Sequence, residues 1–188
     1  MSLPLRPAKP SEAVWVHAQL LTALNETFGH VPEFVSREAA RFSPDYLRAL
    51  IAANPAHVFI GENAGKPAGF MLSGPEQGNL VYYWGYIEPA SRKGGLAHSS
   101  MAQFVKHWDN GRFHKITAYT TAKNRVAQLL LQRNGFHLVA KLEKHILGQD
   151  FMQFERPLNK IQSGYDHTVG LGLKSFIKLR LKQRFGRT

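Results

Sequence analysis

The segment that most constrains how this chain folds is residues 79–97, NLVYYWGYIEPASRKGGLA. An aromatic stretch suited to a pleated, half-buried strand gives way, across Pro89 and the pair Gly94-Gly95, to a helical pattern. Where a strand ends and a helix begins within a few residues, the first helical amides lack intrahelical partners. They converge, with the positive end of the helix dipole, on one point in space. That point favours a phosphate. Gly94 and Gly95 allow the backbone to approach a diphosphate closely, and Arg92 and Lys93 add positive charge. The spacing is neither GxxxxGK[ST] nor GxGxxG, which excludes the common nucleoside-triphosphate and dinucleotide loops. A glycine pair at a helix start is equally compatible with a plain tight turn.

The rest of the chain sets this loop in an alternating pattern. Residues 5–8 predict a short strand, and Pro10 opens a helix to about residue 25 with Val14, Ala18, Leu21 and Leu24 at three- and four-residue steps. Residues 36–54 are helical by period. Ser43-Pro44-Asp45 inside them looks like a fresh N-cap, so two helices meeting at a bend are expected. Strands follow at 57–62 and 67–73 around the turn 63–66, then at 79–88. A helix to about residue 110 places Met101, Phe104, Val105 and Trp108 on one face. A strand at 115–120, a helix at 124–133 stopped by Asn134-Gly135, and strands at 137–147 and 151–156 complete the pattern. The order predicts an α/β fold, a mixed central sheet flanked by helices. With 188 residues, 44% of them hydrophobic, such a domain buries its own core, which rules out disorder throughout. The expected organisation is a domain over residues 1–158 and a basic linker and helical tail over residues 159–188.

Composition removes several chemistries. The absence of cysteine excludes disulfides, a thiolate nucleophile and cysteine-ligated metal. No HExxH occurs and the acidic residues do not cluster with the nine histidines at ligand spacing, so no metal is expected. The sequence lacks a long apolar run and a leader-like start, and a soluble, cytoplasmic protein is the expectation. The net charge of +11 predicts attraction to polyanions, and six of those charges fall after Leu158. There Leu173, Phe176, Ile177, Leu181 and Phe185 share one face of a cationic amphipathic helix. It is suited to docking on its own domain, to an anionic membrane or partner, or to nucleic acid.

At the strand–turn–helix segment the sequence resembles the GNAT-type N-acetyltransferase superfamily. The family's loop, [VI]-x-P-x-x-[RQ]-x-x-G-x-[GA], is met in register by Ile87, Pro89, Arg92, Gly95 and Ala97. Its downstream pattern, Asn-x-x-Ala-x-x-Leu-Tyr-x-x-x-Gly-Phe, is met by Asn124, Ala127, Leu130, Gly135 and Phe136, with Leu131 where the Tyr is expected. The element order agrees from Leu5 to about Leu158. The resemblance implies a GNAT-like fold in which the strands at 79–88 and 115–120 splay apart and hold the pantetheine of acetyl-CoA, the co-substrate. It implies that amides of Lys93, Gly94, Gly95, Leu96 and Ala97 receive the pyrophosphate, and that backbone groups near Ile87 bind the pantetheine and polarise the thioester carbonyl. Asn124 would sit beside the pantetheine arm; a helix N-cap is an equally good role, and both can hold at once.

Acetyl transfer to an amine needs a base for the ammonium proton and a donor near the leaving sulfur. Without cysteine, direct attack on acetyl-CoA in a ternary complex is the natural route. The family's usual acid is the Tyr replaced here by Leu131, so another hydroxyl serves, a water serves, or the thiolate leaves unaided. Glu88 is a candidate base, or else a solvated carboxylate or a partner of Arg92. Tyr83 and Tyr119 are candidate polar groups in the cleft, or else core-edge aromatics. His145 lies on a strand that borders the acceptor site in relatives. The aromatic run 82–86 is expected to line the acyl cleft and pack the sheet. The expected activity is N-acetylation of a primary amine, with an anionic amine such as an amino-sugar nucleotide fitting the basic chain better than a cationic one. A silent acyl-CoA-binding module that attaches to nucleic acid or membrane through its tail is the alternative, and self-association as a homodimer stays open.

Overall fold

The computed structural model describes residues 5–92 and 95–165, and the starts of its first three helices have identifiable causes. Strand β1 (Leu5–Pro7) is followed by a single 3-10 turn at Pro10–Glu12 that runs straight into the next helix, so Pro10 opens the helical segment as expected. The Glu12 carboxylate accepts from the Lys9 amide at 2.7 Å and from the Arg6 guanidinium at 2.7 Å, which fixes the entry to helix α1 (Ala13–Phe28). Helix α2 (Pro32–Arg41) starts earlier than periodicity suggested, because Pro32 occupies its first turn, where a missing N–H costs nothing. The bend before α3 (Pro44–Ala53) is the one expected: the Ser43 hydroxyl accepts from the Tyr46 amide at 3.3 Å. Strands β2 (Val58–Asn63), β3 (Lys66–Glu76) and β4 (Asn79–Ile87) form antiparallel hairpins. Helix α4 (Leu96–Trp108), strand β5 (Lys115–Thr121), helix α5 (Arg125–Arg133) and strands β6 (His137–Ile146) and β7 (Gln149–Pro157) follow.

The seven strands form one sheet in the order β1-β2-β3-β4-β5-β7-β6. Only β4 and β5 run parallel; every other neighbouring pair is antiparallel. Period-two alternation sends side chains to two cores. Val58, Ile60, Phe70 and Leu72 pack under α1, α2 and α3, while Phe59, Met71, Leu80, Ile116 and Phe154 pack under α4 and α5. Residues 159–162 continue from β7 along the α4–β5 turn, where the Asn159 amide donates to the Asp109 carboxylate at 2.6 Å. The expected amphipathic helix at residues 173–185 lies outside the described residues, as do Lys93 and Gly94.

Two irregularities meet at the centre of the sheet. The parallel pair β4–β5 is short, with Leu80, Val81 and Tyr82 opposite Ile116, Thr117 and Ala118, although both strands continue beyond. On its other side β4 carries a bulge: Ser73 pairs with Tyr82 and Leu72 with Trp84, which leaves Tyr83 as the extra residue. A bulge bends its strand and sharpens the local twist. Here it falls where pairing with β5 stops, so the two strands diverge into a wedge whose apex is at Tyr82 and Ala118.

Candidate active site

The wedge opens into a cavity of about 860 Å³ that runs through the sheet. On one face it is bounded by Ser100, Met101, Leu130 and Leu131 of α4 and α5, and on the other by Phe28, Phe34 and Glu38 of α1 and α2. The bulge assigns residues to these faces. Tyr82 packs with the α4–α5 core, whereas Tyr83 and Trp84 both pack with the α1–α2 core. Beyond Tyr82 the β5-facing backbone edge of β4 has no strand partner among the described residues, which leaves main-chain groups for an extended ligand.

The mouth beside α4 has the features of an anion site. Gly95 caps the helix in the left-handed conformation, at φ +77°, and a Cβ there would meet nothing within 4 Å. Glycine is therefore set by the backbone angle alone, and the open space permits close approach. Of the residues expected here, Ile87, Arg92, Ala97 and Asn124 line the cavity, and Gly95 and Leu96 open α4 just before Ala97 without lining it. Arg92 is turned back on the protein: its guanidinium donates to the Ile87 carbonyl at 2.8 Å and pairs with Glu26 at 2.7 Å. It braces the loop against α1. The Asn124 side chain accepts from the Ala127 amide at 3.0 Å, so its N-cap role is realised within the cavity wall. An acyl-CoA fits this arrangement: a helix start without a Cβ in the way, and an extended slot between diverging strands.

The expected catalytic groups separate. Tyr83 and Tyr119 line the cavity; Glu88 does not. Glu88 precedes the turn Pro89–Ser91, and the partner of Arg92 is Glu26 instead. The Tyr83 hydroxyl donates to Glu76 at 3.3 Å, and the Tyr119 ring stacks on His145 with centroids 6.0 Å apart. Desolvation raises the pKa of both phenols, with Glu76 adding to the rise, so they stay protonated through the neutral range and can donate a hydrogen bond but not serve as bases. Leu131 is buried in the α4–α5 core and also faces the cavity.

Other residues enter that sequence reading had not singled out. Glu26, Glu38 and Glu76 line the α1–α2 side together with Arg41 and Arg92. Glu38 accepts from the Trp84 indole at 3.0 Å, and its side chain is only 16% exposed. Trp84 packs in turn against Phe28 and Phe34, and Phe28 stacks on Phe151, so this part of the cavity wall is aromatic. Helical periodicity placed Glu38 on a helix, but only the packing of α2 over the wedge turns it inward. Among the described residues no three acidic or histidine side chains are grouped to hold a metal ion, and no helix is long and apolar enough to cross a membrane.

Comparison with known proteins agrees with this geometry. Residues 19–136 match the model of the acetyltransferase (GNAT) family. None of the curated proteins compared with the chain matches it. Among solved structures, YncA of Salmonella typhimurium, a putative acetyltransferase with its cofactor acetyl-CoA, superposes with a TM-score of 0.67 at 16% identity, covering 88% of this chain and 99% of that one. The PaiA N-acetyltransferase of Thermoplasma acidophilum in complex with coenzyme A gives 0.65 at 13% identity, covering 81% and 98%. The ribosomal-protein-alanine N-acetyltransferase of Brucella melitensis gives 0.61 at 16%, covering 83% and 100%. A match across well over half of its length, on a sheet split between two parallel strands, places this chain in the GNAT acetyltransferase family, whose co-substrate is acetyl-CoA.

Proposed function

We propose that this protein transfers the acetyl group of acetyl-CoA to a primary amine by direct attack in a ternary complex. The observation that carries the reading is the cavity that passes through the sheet at the β4–β5 wedge, since it lets donor and acceptor meet at the apex from opposite faces. The first amides of α4 receive the anionic end of the cofactor, and the unpaired edge of β4 receives its pantetheine arm. The acceptor enters beside α1 and α2.

That entrance revises the acceptor chemistry expected from net charge. Three glutamates against two arginines line it, and Glu26 already neutralises Arg92. An ammonium group on an apolar or aromatic carrier suits this wall better than a phosphorylated amine. Glu38, largely buried and held by the Trp84 indole, pairs with Arg41 at 3.5 Å, a looser contact than that of Glu26 with Arg92 at 2.7 Å, and is the carboxylate assigned to take the ammonium proton. The alternative of a silent acyl-CoA-binding module draws no support from the comparisons.

The test is a thermal shift with acetyl-CoA, followed by thiol release over a panel of aromatic, aliphatic and phosphorylated amines. Stabilisation by acetyl-CoA with turnover on unphosphorylated amines is expected. Stabilisation without turnover on any amine would leave only a binding module.

A further inference from the structure

The apex of the wedge holds the hydroxyl of Tyr82. Tyr82 is the last β4 residue paired with β5, opposite Ala118, and it lines the cavity. Its ring lies lengthwise along β4. A Cβ built on Gly85 would fall 1.7 Å from the Tyr82 hydroxyl oxygen and 2.9 Å from its Cζ, so the hydroxyl sits directly over the Gly85 backbone, a position open only because residue 85 has no side chain. Gly85 itself is exposed to the cavity.

The face is the relevant one. Tyr82 packs beside Phe104 of α4, with centroids 5.4 Å apart, and against the same apolar cluster as Leu130 and Leu131 of α5. The glutamates of the acceptor entrance lie across the sheet, with Tyr83 and Trp84. Among the described residues the Tyr82 hydroxyl makes no hydrogen bond, and burial pushes its pKa well up, so it remains a protonated donor without an acceptor. It borders the cavity and is free to donate to whatever occupies it. Leu131 on the neighbouring helix has no proton to give.

We propose that the Tyr82 hydroxyl donates the hydrogen bond that receives the leaving sulfur as a thiolate, a role this chain has placed on β4 in the absence of a tyrosine at position 131. The inference rests on the acetyltransferase reading. The amine lone pair forms the new C–N bond and the C–S bond breaks, its electron pair going to sulfur. Sulfur leaves as a thiolate that accepts the Tyr82 hydrogen bond. The nitrogen loses its proton to Glu38 or water, and solvent delivers one to the sulfur, so thioester and amine become amide and thiol with no other reactant.

Tyr82→Phe in the full chain keeps the ring and removes the donor. The first readout needs no acceptor: the thiol of bound coenzyme A is titrated by its thiolate absorbance. The hydroxyl stabilises the thiolate, so Y82F raises the thiol pKa by about one unit, roughly a tenfold change in thiolate at a given pH. The second is kinetic. With the amine selected by the panel, kcat falls about 100-fold while KM for acetyl-CoA stays within about twofold. Gly85→Ala provides a second variant that keeps Tyr82 but displaces its hydroxyl, and the same two shifts are expected. If coenzyme A binds the variants and neither titration nor kcat moves, Tyr82 is a packing residue and the inference fails. If the unaltered protein does not bind coenzyme A at all, the acetyltransferase reading fails first and takes the inference with it.

Discussion

A single side-chain oxygen at Asn124 closes the first turn of α5, and the spacing Asn-x-x-Ala announces that bond before any coordinates are seen. Asn124→Ala should cost about 1 kcal/mol, seen in thermal melts as a fall of about 2–4 °C for a domain of this size. Gly95 is as legible, because a helix entered at φ +77° admits other residues only with strain. The space around it is open, so Gly95→Ala should cost about 1–2 kcal/mol of stability from the backbone alone. It should also weaken acetyl-CoA binding, both measurable by melts with and without the ligand. Glu38 was not legible in this way, and Tyr82 only as one of an aromatic run expected to line the cleft. Their chemistry is ordinary, and what makes them site residues is direction, which α2 packing decides for one and a strand bulge for the other.

At the scale of elements, periodicity found the strands and helices because burying one face imposes it, and it blurred the boundaries set by side-chain contacts far apart in sequence. The entry to α1 is an example. Arg6 on β1 is held at 2.7 Å by Glu12 at the helix entrance and at 2.7 Å by Glu62 on β2. The Arg6 hydrogen bond pulls the Glu12 pKa below its usual 4.5, against the desolvation that raises it, and a second bond from the Lys9 amide helps. A depressed carboxylate stabilises the fold fully above its unfolded pKa and loses that contribution as pH falls through the folded value. The melting temperature should therefore drop on acidification below about pH 4.5. Glu12→Gln should melt lower than the parent at neutral pH and converge with it in acid, as a pH series of melts would show. The wedge belongs to this scale too. Both of its strands are readable, but their divergence depends on which Leu72 and Ser73 neighbours β4 selects, and that register is a pairing across the sheet.

For the molecule as a whole, charge is the instructive quantity. The chain carries +11, concentrated after Leu158, while every described residue that lines the cavity lies at or before Phe151. Truncation after Tyr165 should leave the acetyl-CoA thermal shift and the turnover within twofold of the full chain, and should lower the salt needed to elute it from heparin. A tail needed for catalysis would instead abolish turnover. Net charge is a weak guide to the acceptor for the same reason: it sums a whole surface, whereas a cavity feels the few groups aimed into it. By itself, the sequence determined the alternation of strands and helices, the strand–turn–helix loop with its glycine pair and the cap of α5, because each depends on steric and hydrogen-bonding preferences of neighbours along the chain. Only the tertiary structure decided that β4 and β5 part at Tyr82, that Glu38 faces the opening and that the Tyr82 hydroxyl lies over Gly85. Those facts arise from contacts between segments tens of residues apart, whose geometry no local preference contains.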